Sequence, residues 1–581
     1  MSRRFSLYHS TTVMMMLSIF KLLFPFCAFL AELSHVNAAC EPEISYPAPI
    51  YGGDVLKKTF ASISYNLDSS IHTGKFNGTS FSLEISSSNN TLYSKHHTEK
   101  SLGGSTVNGS SVYRIASNTK LFTSLGVLQQ EALGKLNLDD EATKYISELS
   151  RGHSKISWKG ITIRSLLAHL SGLPDNYGDE DLLLSMPDPS VVGLPPVTEF
   201  LANHLPKCGA YSNWTKRCTT TELNRNLRQV NSVFASQQES SYSNVGFELL
   251  GEILANVTGV SYEEYISSSI LKPLCMNYTS FTAPDESVAA KAGPGSYWGL
   301  DEGAGNSAGG LYSTSSDMIT FLRWVINNYK QISPTLNWFQ PSAWNSGSHS
   351  LLGYPWEIFR STEILPNTKR PVTFYTKGGG LTGYYTYSII IPQYDLAVFV
   401  AAAGGLSSLH NIFTDVINPL VIGAEDRAQS QLEALYAGTY CSTQKGLNST
   451  ITFSHSDSKS LHIKSWISNS TDVLGALKPL VSAKAGTTGD MYFQLMPTFR
   501  NKTSSDGRVG EIWRFINVID DYVYPTNATT IWNDYCVANV DPMSYGAVPL
   551  NEAVFWRASN DSTSTVEEVT LSAFRVTLRR E

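Results

Sequence analysis

Ser117 and Lys120 stand three residues apart in the run Ile115-Ala116-Ser117-Asn118-Thr119-Lys120. On one helical turn that spacing puts a hydroxyl and an amine on the same face. A serine there lies near the positive end of the helix dipole, which favours an alkoxide or oxyanion. The amine can take the hydroxyl proton only when neutral, so its ordinary pKa of about 10.4 must fall, through burial or a neighbouring cation. The spacing alone is not distinctive, since it recurs at Ser18/Lys21, Ser269/Lys272, Ser442/Lys445 and Ser456/Lys459. Only Ser117 opens a long apolar-faced helix, with Leu121, Leu125, Leu128 and Ala132 at helical spacing and Gly134 as its stop.

Two further groups can join that chemistry. Tyr242-Ser243-Asn244 precedes a second apolar helix, Val245 to Val257, stopped by Gly259. A tyrosine at a helix entrance can relay a proton, and an asparagine two residues on can bind a substrate amide or orient a lysine. Tyr211-Ser212-Asn213 has the same spelling, but no helix follows it and its asparagine starts a glycosylation acceptor. The third group is Lys377-Gly378-Gly379-Gly380. Glycines on a strand edge let a substrate backbone come close, and an N–H there can serve an oxyanion hole. Read singly, the tyrosine is a packing residue and the glycines a flexible loop.

The elements that must position these groups are legible from periodicity. Pro371 to Thr376, Tyr384 to Ile391 and Leu396 to Ala402 read as an antiparallel meander, with Pro392-Gln393-Tyr394-Asp395 as a turn. Ser80 to Ile85 reads as another strand. Ala424 to Leu435 reads as a short helix, and beyond it the chain is mostly strands. These are Thr450 to Phe453, Leu461 to Ile467, Met491 to Met496, Ile512 to Val518 and Val569 to Leu578, with Ser504-Ser505-Asp506-Gly507 as a turn. The sequence thus divides into 39–425, carrying all three groups, and an all-β domain at 426–581, a barrel or sandwich. A competing nucleophile is Ser307 in Gly305-Asn306-Ser307-Ala308-Gly309, the spelling of an α/β-hydrolase elbow. An elbow needs a buried strand before it, and Gly293 to Gly305 is glycine-rich instead.

Taken together, Ser117-x-x-Lys120, Tyr242-x-Asn244 and Lys377-Gly378-Gly379 resemble the three motifs of the serine β-lactamase and penicillin-binding-protein superfamily, class C-like branch. Ile161 to Pro174 and Ala308 to Thr314 are similar to its connecting segments, and the likeness covers roughly residues 55 to 420. The whole layout resembles secreted fungal β-lactamase-like proteins. The resemblance implies an α/β domain of α+β type, with a central antiparallel sheet and a helical lobe. It also implies a two-step acyl transfer: Ser117 acylated, Lys120 and Tyr242 sharing base and acid work, and Asn244, Lys377, Gly379 and Gly380 facing the substrate. The N–H groups of Ser117 and Gly380 would form the oxyanion hole, and His169 would sit in a structural turn. One departure bears on the substrate. Family β-lactamases commonly carry a hydroxyl residue where this chain has Gly378. Recognition of a β-lactam carboxylate weakens accordingly, and a small ester or peptide amide becomes the expected substrate. An acyltransferase, or a non-catalytic glycoprotein retaining the fold, is the alternative.

The whole chain sets the setting for that chemistry. Of 581 residues, 42% are apolar and 16% charged, enough for more than one core. The net charge of −7 is spread without a basic stripe, which speaks against nucleic acid as partner. Arg3 and Arg4, the apolar stretch to Leu30 and Val36-Asn37-Ala38 read as a cleaved secretory signal, residues 1–38. No second span and no lipid-anchor tail are expected, hence no membrane after cleavage. Asn-x-Ser/Thr acceptors are dense from Asn77 to Asn560, consistent with export. Loss of Cys27 with the signal leaves an even set of cysteines. The expected pairs are Cys208–Cys218, Cys441–Cys536 and, by elimination, Cys40–Cys275. No metal or organic cofactor is expected. The partner is a small-molecule or peptide substrate with an ester or amide carbonyl.

Overall fold

The computed structural model describes residues 46–581 except 53, 178–181, 183–185, 187, 199–207, 210–216, 366–369, 458, 486–490, 520–539, 542 and 560–563. The expected signal, Cys40, Cys536 and the Tyr211-Ser212-Asn213 decoy therefore lie outside the described residues. The chain divides into two compact units. Among the described residues, one is 51–424; the other joins 46–50 with 425–581.

The larger unit is built on an eight-stranded sheet. Its strands are β1 (Ser80–Ser86), β2 (Thr91–His97), β3 (Ala343–Trp344), β4 (Ser350–Leu352), β5 (Glu357–Ser361), β6 (Val372–Leu381), β7 (Tyr384–Ile391) and β8 (Leu396–Ala403). The order is β2-β1-β8-β7-β6-β5-β4-β3 and the pairings are antiparallel. β8 and β1 are buried along their whole length. That is why Leu396-Ala397-Val398-Phe399-Val400 reads as a continuous apolar run rather than an alternating one. α1 (Lys57–His72) meets β2, where Phe60 stacks on Tyr93 and Asp68 pairs with Lys95. The helical part carries α2 (Thr119–Ala132), α3 (Asn244–Thr258) and α4 (Ser315–Asn328). α3 starts at the Ser243 cap, whose hydroxyl accepts from Gly246 N–H, and ends at Gly259, left-handed at φ 75°. α2 and α3 are buried on nearly all sides, so they form the floor of the unit rather than its surface.

The second unit is a barrel. Its strands are β9 (Gly438–Cys441), β10 (Thr450–Ser456), β11 (Ser460–Ser468), β12 (Thr471–Asp472), β13 (Met491–Thr503), β14 (Val509–Ile519), β15 (Glu552–Arg557), β16 (Val566–Leu571) and β17 (Val576–Arg580). They run in the order β10-β9-β17-β16-β15-β14-β13-β11-β12. β10 also pairs with β11, which closes the ring. Closure removes open sheet edges, so the expected barrel or sandwich resolves to a barrel.

Several expectations need correction. The strand read as ending at Thr376 runs on to Leu381, so the glycines of Lys377 to Gly380, expected at a strand edge, lie within β6 itself, paired with β7 as far as Leu381↔Tyr384. Sheet pairing has overridden their weak strand preference. The single strand expected from Val569 to Leu578 is two, β16 and β17, folded back at Ser572–Arg575. Arg575 is left-handed there, at φ 54°. The short helix at Ala424 is the end of a 30-residue helix, α5 (Ser407–Tyr436), within which the division between the units falls. A helix after β12, α6 (Val473–Ala485), was not expected. Cys208 and Cys218 form the expected disulfide. Cys275 and Cys441 are free thiols, so neither of the other two expected pairs holds. The Cys441 thiol is turned to the end of the chain, where it donates to Glu581 Oε1 at 3.0 Å. Among the described residues no helix is long and apolar enough to cross a membrane.

Candidate active site

Ser117 lies in a 3-10 turn, Ala116–Asn118, that runs directly into α2. Ala116 has φ 45°, in the left-handed region that a Cβ makes costly. Within 115–120 only Ser117 is not buried. Lys120, one turn on, is completely buried. Its Nζ is 3.1 Å from Ser117 Oγ, 2.5 Å from Asn244 Oδ1 and 2.8 Å from the Ala308 carbonyl. When the amine is neutral, its two N–H bonds can serve Asn244 and Ala308, which leaves the lone pair facing Ser117. Burial is the main cause that lowers the Lys120 pKa, and the Lys377 charge lowers it further.

Asn244 is fixed from behind. Its Nδ2 donates to Asp175 Oδ1 and Asn176 Oδ1, both at 2.9 Å. With its oxygen on Lys120 and both N–H bonds taken, the amide has no hydrogen left for a ligand. Tyr242 stands between two lysine amines, with Lys120 Nζ 5.1 Å and Lys377 Nζ 5.0 Å from its ring centroid. Burial pushes its phenol up. The two lysine charges and a hydrogen bond with Ser117 outweigh that and hold it below its ordinary pKa. His169 stacks on the Tyr242 ring at 4.4 Å, and its Nδ1 accepts from Ser243 N–H at 3.1 Å. Burial holds this imidazole far below its usual pKa, so it is neutral. It braces the Tyr242 turn, as expected of a structural residue.

β6 supplies the other wall. β5 pairs with it only as far as Glu357↔Thr376, so its edge is open from Lys377 onward. Lys377 is buried, bound to Glu357 Oε1 and to the Gly378 carbonyl at 2.8 Å. A Cβ on Gly379 would strike the Ile115 carbonyl and come within 2.6 Å of Thr386 Oγ1. Glycine there lets the strand lie against the turn that holds Ser117. Gly380 is the exposed residue of the run. Strand alternation turns its N–H to the same side as that of Gly378, toward the open edge.

Thus Ser117, Lys120, Tyr242, Asn244 and Lys377 come together with Gly379 and Gly380 in one place. Ser307 does not have the setting of an elbow. It lies in the short helix Asn306–Gly309 after a 3-10 turn, not a strand, and it is buried. Its carbonyl accepts from Thr123 Oγ1 at 2.6 Å, and the next carbonyl is the Ala308 acceptor of Lys120. Sequence reasoning missed Asp175, Asn176 and Glu357. The first two directly follow the Ser171-Gly172-Leu173-Pro174 turn. Nothing in the spacing of Glu357 marks it, because a strand pairing alone brings it to Lys377.

The Beta-lactamase family model matches residues 83–409, which carry every one of these groups. The chain belongs to the beta-lactamase family. Within it, this beta-lactamase-family chain also matches, over 428–581, the model described as Beta-lactamase-like-like, C-terminal domain. It is 36% identical to the Probable hydrolase M10 of Phoma sp., over 93% of this chain and 91% of that protein. It is 34% identical to the Probable hydrolase clz13 of Cochliobolus lunatus, over 96% and 94%. Among solved structures, a Beta-lactamase/D-alanine Carboxypeptidase from Yersinia pestis complexed with citrate is 21% identical, with a TM-score of 0.47. That match covers 64% of this chain and 98% of the other.

Proposed function

We propose that this beta-lactamase-family chain is a serine hydrolase that works through an acyl-enzyme on Ser117. The observation that carries the reading is the buried Lys120 amine, 3.1 Å from Ser117 Oγ, with its pKa lowered by burial. Ser117 Oγ attacks an ester or amide carbonyl while its proton passes to Lys120. Tyr242, held acidic between two lysines, gives its own phenol proton to the leaving group and as the phenolate later takes one from the attacking water, while Lys120 returns the proton it holds to Ser117 Oγ as the acyl group departs. The N–H groups of Ser117 and Gly380 receive the oxyanion. Asn244 acts as a positioning residue for Lys120, Gly379 brings strand and turn together, and Lys377 tunes Tyr242. Small esters are favoured over β-lactams, because Gly378 offers no hydroxyl for a β-lactam carboxylate. The signal expected over residues 1–38 and the dense glycosylation acceptors support a secreted product.

The test is a fluorophosphonate probe followed by adduct mapping. Ser117 should carry the adduct. Ser117→Ala should abolish both labelling and ester turnover, a loss on the order of 10³-fold or more in kcat. Ser307→Ala should keep both. An adduct on Ser307, or wild-type turnover by Ser117→Ala, overturns the assignment. So does faster hydrolysis of a penicillin than of a small ester, since the expected preference is ~100-fold the other way.

A further inference from the structure

We propose that Glu357 is a specificity-determining residue: its carboxylate fills the anion position formed by Lys377 Nζ and the Gly378 N–H, and so selects acyl donors that are neutral next to the scissile bond. The inference rests on the acyl-transfer reading above and names its substrate class.

Glu357 is the first residue of β5, at the point where pairing with β6 stops. Its backbone is the last to take part: the Glu357 carbonyl accepts from Thr376 Oγ1 at 2.6 Å. The next edge N–H of β6, that of Gly378, finds the Glu357 side chain instead, with Oε2 at 2.9 Å. The other oxygen, Oε1, binds Lys377 Nζ. One carboxylate thus bridges an ammonium and a strand-edge N–H. That donor pair is what an anionic ligand lying along this edge would need. Here the protein's own acid occupies it.

The local sequence fits this occupant. A Cβ at position 378 would come within 3.4 Å of Glu357 Oε2 and 3.0 Å of the Tyr387 ring. A hydroxyl-bearing side chain at 378 would press on the space that the carboxylate uses. Gly378 and Glu357 are therefore two halves of one arrangement. The side chain of Lys377 is 1% exposed and that of Glu357 30%. A ligand arriving at the edge meets the acid first, with the cation spent behind it.

Position along the edge sets what is selected. Gly380, the oxyanion donor of the proposed reaction, is two residues from Gly378, about 7 Å along the strand. A substrate carrying a carboxylate at that distance from its scissile carbonyl would set it against Glu357. Like charges placed together at an interface disfavour binding strongly. A neutral group at the same place meets no such opposition.

The experiment compares a matched pair, meta-carboxyphenyl phenylacetate and its methyl ester. The wild-type protein should prefer the neutral methyl ester by at least ~10-fold in kcat/KM. Glu357→Gln keeps the shape and removes the charge. It should shift that ratio at least ~10-fold toward the acid, a readout that cancels any change common to both esters from loss of the Lys377 partner. An unshifted ratio overturns the proposal and leaves the serine hydrolase reading standing. No turnover of either ester by wild-type protein sinks that reading and this one with it. A wild-type measurement covers the case in which the variant does not fold. Phenylboronic acid should inhibit at least ~10-fold more tightly than its meta-carboxy derivative. Equal or tighter inhibition by the carboxylate overturns the proposal.

Discussion

The decisive residue is Lys120, because its protonation state gates the proposed chemistry. A lysine with its full positive charge cannot accept the Ser117 proton. Burial lowers its pKa and Lys377 adds to the effect. The sign follows directly: activity is low where Lys120 is protonated and rises as pH climbs through its lowered pKa. A pH profile of kcat/KM for a neutral ester should therefore show an ascending limb below the ordinary lysine range, about 10.4. Lys120→Arg keeps a charge that cannot be lost, so it should cost on the order of 10³-fold at every accessible pH. An Arg variant that kept wild-type turnover would remove the lysine from the mechanism. Combined with Ser117→Ala the losses should not add, since the two act as one unit.

Among elements, the meeting of β6 with the Ser117 turn is the critical contact. The strand approaches so closely that Gly379 leaves no room for a methyl group against the Ile115 carbonyl. A Cβ on Gly380, one residue later, would meet nothing nearer than Tyr385 Cδ1 at 3.6 Å, an ordinary contact. Gly379→Ala should therefore push the strand off the turn. It should lose at least ~10-fold in kcat and about 1–3 kcal/mol of stability. Gly380→Ala should stay close to wild type in stability. Thermal unfolding and ester kinetics on the two variants decide it, and equal effects would show that the approach of strand to turn is not what matters.

The whole molecule is two units, and each handles its cysteines differently. In the larger unit Cys208 and Cys218 are bonded while Cys275 is exposed. In the barrel unit, burial and the nearby Glu581 push the Cys441 thiol up to about 11. Because the thiolate is the reactive form, iodoacetamide at about pH 8 should modify Cys275 well before Cys441. Cys208 and Cys218 should react only after reduction. Peptide mapping of the alkylated native protein reads this directly. A disulfide found at Cys275 or Cys441 would contradict the free thiols.

What the sequence by itself determined was local or periodic. The helix behind Ser117, the helix after Asn244, the meander from Tyr384 to Ala403 and the disulfide across ten residues all follow from neighbours along the chain. Their signals are spacing, caps and alternation, which need no partner to be read. The three chemical groups were legible for the same reason, each being a short run at the start of an element or within one. Only the tertiary structure decided what those groups touch. Glu357 reaches Lys377 through a strand pairing, and Asp175 reaches Asn244 through a turn some seventy positions away, at a separation of 69. Closure of the barrel needed β10 to find β11 as well as β9. The Cys441 pairing failed for a like reason: its side chain faces the chain terminus, a direction that no count of cysteines contains. Long-range pairings are selected by the summed burial and hydrogen bonding of whole strands. That selection leaves no mark at the single residues it brings together.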